Sequence, residues 1–385
     1  MNIEIRPYLD QDRDSFTEVL SLVYRSGEQV PAGEPVGDPG ETAYVALLNG
    51  EVVGGFFVRD MFCTRGEASL RAGGIGGVAI RPDARQYGVA GEMMRWGIQR
   101  MSEEGFAVSH LYAFRESFYR KFGWEVAGKR IKINCPQGRL PVLRDGLRAR
   151  LLPPDGWPEV EPVYLAFARR YSGLNLRSAF QWKQVAQGTG GKTRVYAIGE
   201  PPEAYAVVHV QGAFWEEQMV SEVAWASPRG YEGLLSFIGS LASNKTAMSW
   251  YEPSNSPFLA SYVDQAVSFT LARPVMYRAI HVPAALEALA PVAGVAGEFT
   301  FQVEDEVAPE NRGPWRVNFG NGAVSVEPAS LGDLRLDIRR FSQALLGEPS
   351  LLELAAQGTV QGSVQGLAEA AKLLTPRPTY CMDFF

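Results

Sequence analysis

The chain has 385 residues, and at about 150 residues per domain this length predicts two or three domains. Hydrophobic residues make up 46% and charged residues 21%, which is ordinary globular usage and excludes disordered, collagen-like and coiled-coil classes. Lys and Arg number 37 against 43 Asp and Glu, a formal net charge of −6 without any basic block. Nucleic acid is therefore not expected as a partner, because phosphate binding needs a concentrated positive face.

Membrane and metal signals are also missing from the sequence. No apolar run approaches the roughly 18 residues that span a bilayer, and MNIEIRPYLDQDRD lacks the basic and apolar regions of a signal peptide. We therefore expect a cytoplasmic protein with no membrane partner. Cys63, Cys135 and Cys381 are too widely spaced for a disulfide framework or a zinc site, so we predict buried thiols. With three histidines and no HExxH pattern, we expect no metal.

The first 145 residues predict the element order β-α-β-β-β-α-β-α-β. A short strand, IEIR, precedes apolar residues at the spacing of one helix face, Phe16, Val19, Leu20 and Val23. Residues 25–40 are rich in Gly and Pro and predict a long loop that overhangs a pocket. Two β-rich runs then flank Asn49-Gly50, a pair typical of a type I′ hairpin turn.

Two helices and two strands complete this part. The helix from about Val89 to Glu104 is predicted to close at Gly105, because glycine adopts the left-handed conformation that ends many helices. FAVSHLYAF predicts a buried strand. RESFYRKFG predicts a short helix that ends at Gly123, and WEVAGKRIKINC predicts a final strand.

The same order returns in weaker form between residues 146 and 283. LRARLL, TRVYAIG, EAYAVVHV and SEVAWAS predict strands, and WPEVEPVYLAFARRYSG predicts a helix that ends at Gly173. Beyond Pro283 strands come first, and helices follow from LDIRRFSQALLG, SLLELAAQG and GLAEAAKLL. The sequence thus predicts an α/β chain of three domains, 1–145, 146–283 and 284–385, of which the last is α+β.

The segment GGVAIRPDARQYGVAGEMM places a tight turn between a strand and a helix. Amides at a helix start lack intrahelical partners and carry the positive end of the helix dipole, so the turn from Arg85 to Ala90 suits a pyrophosphate. Gly88 lets the backbone approach an anion closely. An ordinary strand-to-helix connection has the same spacing, and the spacing alone does not decide between the two.

Two motifs carry a resemblance to a known family. R-Q-Y-G-V-A, residues 85–90, resembles the Q/R-x-x-G-x-G/A acyl-CoA loop of the GCN5-related N-acetyltransferase (GNAT) superfamily. S-F-Y-R-K-F-G-W, residues 117–124, resembles the x-Y-x-x-F-G-[FYW] helix end common in that superfamily. Tandem GNAT-like units, an α+β module and an aromatic last residue resemble the Eis (enhanced intracellular survival) aminoglycoside acetyltransferase group. The resemblance covers the whole chain, but only residues 72–125 carry sharp motifs.

The resemblance implies a fold and a co-substrate. The fold is two tandem GNAT-like mixed-sheet domains followed by a sterol-carrier-protein-like α+β domain. The co-substrate is acetyl-CoA, whose pantetheine arm would add to the strand before the loop and whose pyrophosphate would lie on the loop amides. The cofactor-binding residues implied are Val78, Ala79, Ile80, Arg85, Gln86, Gly88, Val89 and Ala90.

The resemblance also implies the catalytic groups. Tyr119 occupies the family's general-acid position, and a phenol with a pKa of about 10 can protonate the thiolate that acyl transfer expels. The structural alternative is a tyrosine that packs beside Phe122 and Trp124. In the Eis-like group the terminal carboxylate is the proposed base, which maps onto Phe385. The apolar end TYCMDFF fits a docked tail, and a terminal strand that fills a core explains it equally well.

The second GNAT-like unit has no acyl-CoA loop motif after SEVAW. We therefore expect it to bind no CoA and to form part of the wall of the substrate pocket. The implied acceptor is a primary amine of a cationic small molecule, such as an aminoglycoside or a polyamine. Acidic residues in or near the long loop and at the chain end are candidates for attracting it: Glu28, Glu34, Asp38, Glu41 and Asp383. Three tryptophans, in contrast, are predicted to be core: Trp215, Trp225 and Trp250.

Two alternatives remain open beside this reading. One is a protein-lysine or peptide acetyltransferase, and the other is a noncatalytic CoA- or lipid-binding scaffold. By analogy with the Eis group, the resemblance implies a homo-oligomer, specifically a hexamer.

Overall fold

The structure is a computed structural model that describes residues 1–28, 30–31, 34–140, 143, 146–210, 215–262, 266–272 and 275–383, apart from the side chains of residues 189, 242 and 243. The first part contains β1 (Ile3–Pro7), α1 (Arg13–Tyr24), β2 (Glu41–Leu48), β3 (Glu51–Arg65), β4 (Ala68–Ile80), α2 (Val89–Glu103), β5 (Val108–Tyr112), α3 (Glu116–Arg120), β6 (Glu125–Val126) and β7 (Arg130–Pro136). The middle part contains β8 (Ala149–Leu151), α4 (Glu161–Ala168), β9 (Ser172–Asn175), α5 (Ala179–Gln187), β10 (Thr193–Ile198), β11 (Ala204–His209), β12 (Glu217–Trp225), α6 (Pro228–Ser240), β13 (Ala247–Pro253), α7 (Pro257–Ser261), β14 (Ser268–Leu271) and β15 (Val275–Ala279). The last part contains α8 (Val282–Glu287), β16 (Gly297–Glu304), β17 (Trp315–Gly320), β18 (Ala323–Pro328), β19 (Leu334–Asp337), α9 (Ile338–Leu346), α10 (Leu351–Ala356) and α11 (Val364–Leu373).

The first sheet has the strand order β1-β2-β3-β4-β5-β15-β6, and β9 pairs with the far end of β3. Among the described strands of this sheet, β4 and β5 are the pair that runs parallel. Helix α2 covers one face, where Met93 packs in one buried cluster with Phe56 and Leu111. Helix α1 covers the other face, where Phe16 is buried with Phe57. The apolar spacing of both helices in the sequence thus matches the faces that they bury.

The first two sheets exchange strands. The second sheet has the order β14-β7-β13-β12-β11-β10-β8, so β7 leaves the first part of the chain to pair there. In return β15 enters the first sheet between β5 and β6, with Val275 opposite Tyr112. The final strand predicted from WEVAGKRIKINC is therefore split, since Glu125–Val126 lies in the first sheet and Arg130–Pro136 in the second. The two sheets are interlocked by this exchange.

The C-terminal module has the sheet order β18-β17-β16-β19, with α8, α9 and α11 packed against the sheet and α10 packed against α9 and α11. Its core is continuous with the first sheet, because Phe301 and Phe341 belong to the same buried cluster as Met61 and Tyr277. Beyond α11 the chain returns to the middle of the molecule, where Ser172 of β9 pairs with Thr379. The module therefore carries the end of the chain back toward the first two sheets.

Several local predictions are confirmed. Asn49 and Gly50 both have positive φ, 52° and 90°, as a type I′ turn requires. Gly105 and Gly123 lie just beyond α2 and α3 with φ of 79° and 89°. At Gly123 a Cβ would also overlap the guanidinium of Arg278, so only glycine fits there. All three cysteines are free and buried.

Other local predictions are wrong. The helix predicted to reach Gly173 ends at Ala168, and Ser172–Asn175 forms β9 instead. The helix predicted from LDIRRFSQALLG starts only at Ile338, because Leu334–Asp337 is strand β19. Among the described residues, no helix is both long and apolar enough to cross a membrane.

Candidate active site

Strands β4 and β5 separate at their carboxyl ends. They pair in parallel only over Ala72–Ile75 and Val108–Leu111. Beyond Ile75, β4 pairs with β3 alone in the described part of the chain, and a register shift falls between Gly55 and Phe57 of β3. Such a bulge bends a strand, and the bend leaves an open backbone edge on β4 that faces the end of β5.

The turn after β4 is built as the sequence predicts. A 3-10 helix over Pro82–Tyr87 leads into α2, and Gly88 joins them with φ 79° and ψ 4°. Val89 and Ala90 are the first two residues of α2, so their amides precede the first hydrogen bond of that helix, and the Gly91 amide donates to the carbonyl of Gly88 at 2.9 Å. A Cβ at Gly88 would meet no atom within 4 Å. Consecutive free amides at a helix start form an anion-binding concavity, so the residues present fit a diphosphate.

The side chains of this turn face solvent. Arg85 and Gln86 are exposed, and Arg85 Nε donates a hydrogen bond of 3.2 Å to the carbonyl of Ile80. The two Nη groups of Arg85 take no part in that hydrogen bond. The guanidinium thus lies between the end of β4 and the turn, beside both parts of the predicted cofactor site.

The structure adds a residue that the sequence did not indicate. The Tyr24 hydroxyl donates a hydrogen bond of 2.7 Å to the carbonyl oxygen of Val78, on the strand predicted to bind the pantetheine arm. Ala79 pairs with Gly55 on the other side of β4. A carbonyl oxygen has two lone pairs, so Val78 retains acceptor capacity. Tyr24 is the last residue of helix α1, and no sequence motif around it indicates contact with a cofactor-binding strand.

Tyr119 lies on the short helix α3, beyond the end of β5. It is 2% exposed, and its ring contacts Phe114, Phe118 and Trp124 with centroids 5.5, 5.1 and 6.2 Å away. Burial raises the pKa of its phenol above the usual value, and the neighbouring Tyr24 adds to the rise. The phenol therefore keeps its proton at neutral pH, as a general acid must.

The end of the chain lies beside the same strand ends. Asp383 is the last described residue, and its carbonyl accepts a hydrogen bond of 2.8 Å from the hydroxyl of Tyr112, which ends β5. Tyr380, Cys381 and Met382 are buried. The tail is thus docked up to Asp383, whereas Phe385, the predicted base, lies outside the described residues.

A pocket of about 550 Å³ lies where β3, α5, β12 and the tail meet. Its lining includes Arg59, Gln184, Glu222 and Asp383. Arg177, fully buried, pairs with Glu222 at 2.6 Å and with Asp383 at 2.6 Å. One guanidinium thus serves two carboxylates, and burial raises the pKa of Asp383 although Arg177 opposes that rise.

The long loop borders this pocket through one of its predicted acidic residues. Asp38 accepts from Gln184 Nε2 at 3.0 Å and from Arg59 at 2.9 Å, and Glu41 accepts from Arg59 at 2.8 Å. Glu28 and Glu34 are exposed. Asp38 thus contacts two residues of the pocket lining, and the overhang predicted for residues 25–40 stays a prediction.

The second sheet lacks an equivalent open turn. Helix α6 begins at Pro228, and the Ser227 hydroxyl accepts from the Gly230 amide at 2.9 Å, so the helix start is capped by its own chain. Trp225 and Trp250 are buried as predicted, but Trp215 is 71% exposed, which contradicts its predicted core position. No cluster of His, Cys, Asp or Glu in the described residues has the arrangement of a metal site.

Comparison with known proteins identifies the domain families. Residues 4–127 and 173–279 each match an acetyltransferase (GNAT) domain family, and residues 282–382 match the sterol carrier protein domain. An uncharacterized N-acetyltransferase of Streptomyces coelicolor is 26% identical over 333 residues, which cover 80% of this chain and 79% of that protein. N-acetyltransferase Eis of Mycobacterium tuberculosis is 24% identical over 325 residues, 80% of this chain and 78% of that protein.

Solved structures share the whole fold. A GCN5-related N-acetyltransferase from Anabaena variabilis has a TM-score of 0.88 at 20% identity, and Eis1 from Mycobacterium abscessus has 0.80 at 18%, each with full coverage of both chains. The protein is therefore an N-acetyltransferase of the GNAT superfamily, with two GNAT domains and a C-terminal sterol-carrier-type domain. Within that superfamily it resembles the N-acetyltransferases named Eis.

Proposed function

We propose that this enzyme transfers the acetyl group of acetyl-CoA directly to a primary amine of a cationic small molecule of the aminoglycoside or polyamine class. The observation that carries the proposal is the open edge of β4 together with the left-handed Gly88 and the amides of Val89 and Ala90 at the start of α2. GNAT acetyltransferases use acetyl-CoA. We assign its pantetheine arm to the backbone of Val78, Ala79 and Ile80, and its diphosphate to the turn over residues 85–90.

The proposed chemistry needs one acid and one base. The amine nitrogen attacks the thioester carbon, the new C–N bond forms, and the C–S bond breaks with its electron pair on sulfur. Tyr119 gives a proton to that thiolate, and the base takes one from the amine nitrogen. We assign the base to the terminal carboxylate of Phe385, because the tail is docked at the end of β5 as far as Asp383.

The acceptor is assigned to the pocket beside the tail. Two carboxylates, Glu222 and Asp383, line the pocket together with the guanidiniums of Arg59 and Arg130, and we assign the ammonium group of the acceptor to these carboxylates. A recessed pocket of about 550 Å³ also has the size of a small-molecule site, which favours a small amine over a protein surface.

We assign the catalytic site to segment 1–145 and part of the wall of the acceptor pocket to segment 146–283. We assign to segment 284–385 the role of bringing the end of the chain to the catalytic site. The capped start of α6 supports a second domain without CoA. The resemblance to Eis supports a hexamer, which sedimentation of the purified protein tests.

The proposal is tested by thiol release. Purified enzyme with acetyl-CoA is offered polyamines, aminoglycosides and lysine peptides, and free CoA is measured over time. We expect turnover with small polyamines or aminoglycosides, and we expect Tyr119→Phe to lower kcat by about 10², the usual scale for a general acid. Phe118→Leu, next to Tyr119, is the matched packing control. Turnover on lysine peptides alone would point to a peptide acetyltransferase, and CoA binding without turnover would point to a scaffold.

A further inference from the structure

Arg130, the first residue of β7, lies at the acceptor pocket. It lines the same pocket of about 550 Å³ as Glu222 and Asp383. Its guanidinium carbon lies over the Tyr251 ring, 3.9 Å from the ring centroid. A planar guanidinium that lies over an aromatic ring keeps its N–H groups directed along its own edge, away from that ring. The contact with Tyr251 therefore fixes the group and leaves its hydrogen-bond donors available to a ligand.

The other two arginines at the pocket already hold carboxylates. Arg59 pairs with Asp38 at 2.9 Å and with Glu41 at 2.8 Å. Arg177 pairs at 2.6 Å with each of the two carboxylates that line the pocket. In the part of the chain that the structure describes, Arg130 belongs to no ion pair, and its Nε atom is buried without a hydrogen-bond acceptor. Arg130 is thus the pocket cation that no described carboxylate neutralises.

Phenols and a thiol surround Arg130 where a carboxylate would be expected. The groups whose charge affects it are Tyr112, Tyr251, Tyr380 and Cys381. Burial raises the pKa of Tyr112, Tyr380 and Cys381, so these three keep their protons at neutral pH. A partly buried charge without a counter-charge is costly, and an anion bound in the pocket would remove that cost.

We propose that Arg130 binds a carboxylate of the acceptor, so that the acceptor is a cationic diamino acid such as lysine or ornithine. This inference rests on the proposed function and narrows its acceptor class. The ammonium group lies at Glu222 and Asp383, and the carboxylate lies at Arg130. A carboxylate fits better than a phosphate, because one guanidinium matches the single charge and the two oxygens of a carboxylate.

The substrate class can be tested with matched pairs of amines. Lysine is cadaverine with a carboxylate added, and ornithine is putrescine with the same addition. Free CoA is measured with the full chain, acetyl-CoA and each of the four amines. We expect kcat/KM to be at least about tenfold higher for lysine than for cadaverine, or for ornithine than for putrescine, which is the scale of hydrogen bonds to a charged group.

Variants of Arg130 assign this preference to one side chain. We expect Arg130→Gln to lower kcat/KM at least about tenfold for the preferred diamino acid but less than about twofold for its diamine. KM for acetyl-CoA should change less than about twofold. Arg130→Lys keeps the charge without the planar fork and should retain part of the preference. Arg150→Gln is the matched control, because Arg150 is an exposed arginine of β8 that pairs with Glu159, and it should leave both amines unchanged.

The outcomes separate this inference from the proposed function. Equal losses from Arg130→Gln with diamino acid and diamine would overturn it, because an arginine that only supports the fold does not distinguish the two. Equal turnover of each pair by the wild type would overturn it without any variant. Absence of turnover with every amine would instead overturn the proposed function. Calorimetry then decides the binding site, since tighter binding of lysine than of cadaverine must be lost in Arg130→Gln.

Discussion

Tyr24, the last residue of α1, is joined to Val78 of β4 by a hydrogen bond of 2.7 Å from its hydroxyl to the backbone carbonyl. The bond holds the end of α1 against the strand edge that we assign to the pantetheine arm. The same phenol lies near enough to Tyr119 to help raise the pKa of that side chain. One exposed tyrosine therefore touches the proposed cofactor strand and borders the proposed acid.

Tyr24→Phe should tighten acetyl-CoA binding. The hydroxyl occupies one acceptor site of the Val78 carbonyl, and a net hydrogen bond of about 1 kcal/mol corresponds to about a fivefold change in affinity. We expect calorimetry to show a dissociation constant lower by about that factor. Tyr196→Phe, on β10 of the second sheet, is the control and should change nothing. Weaker binding in Tyr24→Phe would show that the hydroxyl supports the ligand and does not compete with it.

Gly88→Ala should abolish most acetyl-CoA binding without unfolding the protein. Alanine at φ 79° costs about 1–2 kcal/mol of backbone strain, and its Cβ would enter the open concavity where the diphosphate approaches. We expect at least about a tenfold loss of affinity by calorimetry. Gly358→Ala is the matched control, because Gly358 also has positive φ, 73°, and open space at its Cβ but lies in the C-terminal module. Equal affinity in the two variants would contradict the site.

Local chemistry allowed the shape of the turn between β4 and α2 to be predicted from the sequence. The run from Arg85 to Ala90 contains the glycine that the left-handed position requires, and the helix after it has a clear apolar face. Helix α3, which carries Tyr119, and the end of this helical segment near Gly123 were likewise predicted from the sequence, because a glycine with positive φ often follows a helix. The apolar residues of the tail predicted that it packs against the protein, and the structure confirms this packing as far as Asp383. The roles of Tyr119 and Phe385 stay predictions.

The parts that the sequence did not reveal depend on contacts distant in the chain. Strand β15 joins the first sheet opposite Tyr112, a pairing that no local pattern encodes. Strand β9 was missed because Ser172–Asn175 lacks β-branched and aromatic residues, and tertiary pairing overrides weak propensity. The hydrogen bond of Tyr24 to Val78 and the ion pair of Arg177 with Asp383 arise in the same way, from chain segments 54 and 206 residues apart.

Asp305→Asn should destabilise the whole fold. Arg278 on the exchanged strand β15 is fully buried, and Asp305, just beyond β16, pairs with it at 2.7 and 3.0 Å. Breaking a buried pair by neutralising one partner leaves an uncompensated charge and costs about 3–5 kcal/mol. We expect urea unfolding to show a loss of this size. The control is Asp60→Asn, which neutralises an exposed pair with Arg71 on the same sheet and should cost about 0–1 kcal/mol. Similar losses in both variants would contradict the prediction.

Glu252 should make the stability depend on pH in a direction opposite to most carboxylates. Burial raises its pKa from an ordinary 4.5 to about 7, although Ser256, Trp250 and Tyr231 donate hydrogen bonds to it. Between these two values the folded state binds more protons than the unfolded state, so the free energy of unfolding falls as pH rises. The contribution is complete below about pH 4.5 and is lost as pH rises through about 7, an effect of up to about 3 kcal/mol.

Comparison with Glu252→Gln isolates this effect, because Gln stays neutral at every pH. Urea unfolding of both proteins at pH 5 and pH 8 gives two differences in unfolding free energy. We expect the wild type to lose stability relative to Glu252→Gln on going to pH 8, while carboxylates with lowered pKa, such as Asp12, contribute equally to both proteins and cancel. A pH-independent difference between the two would show that Glu252 is ionised in the folded state throughout this range.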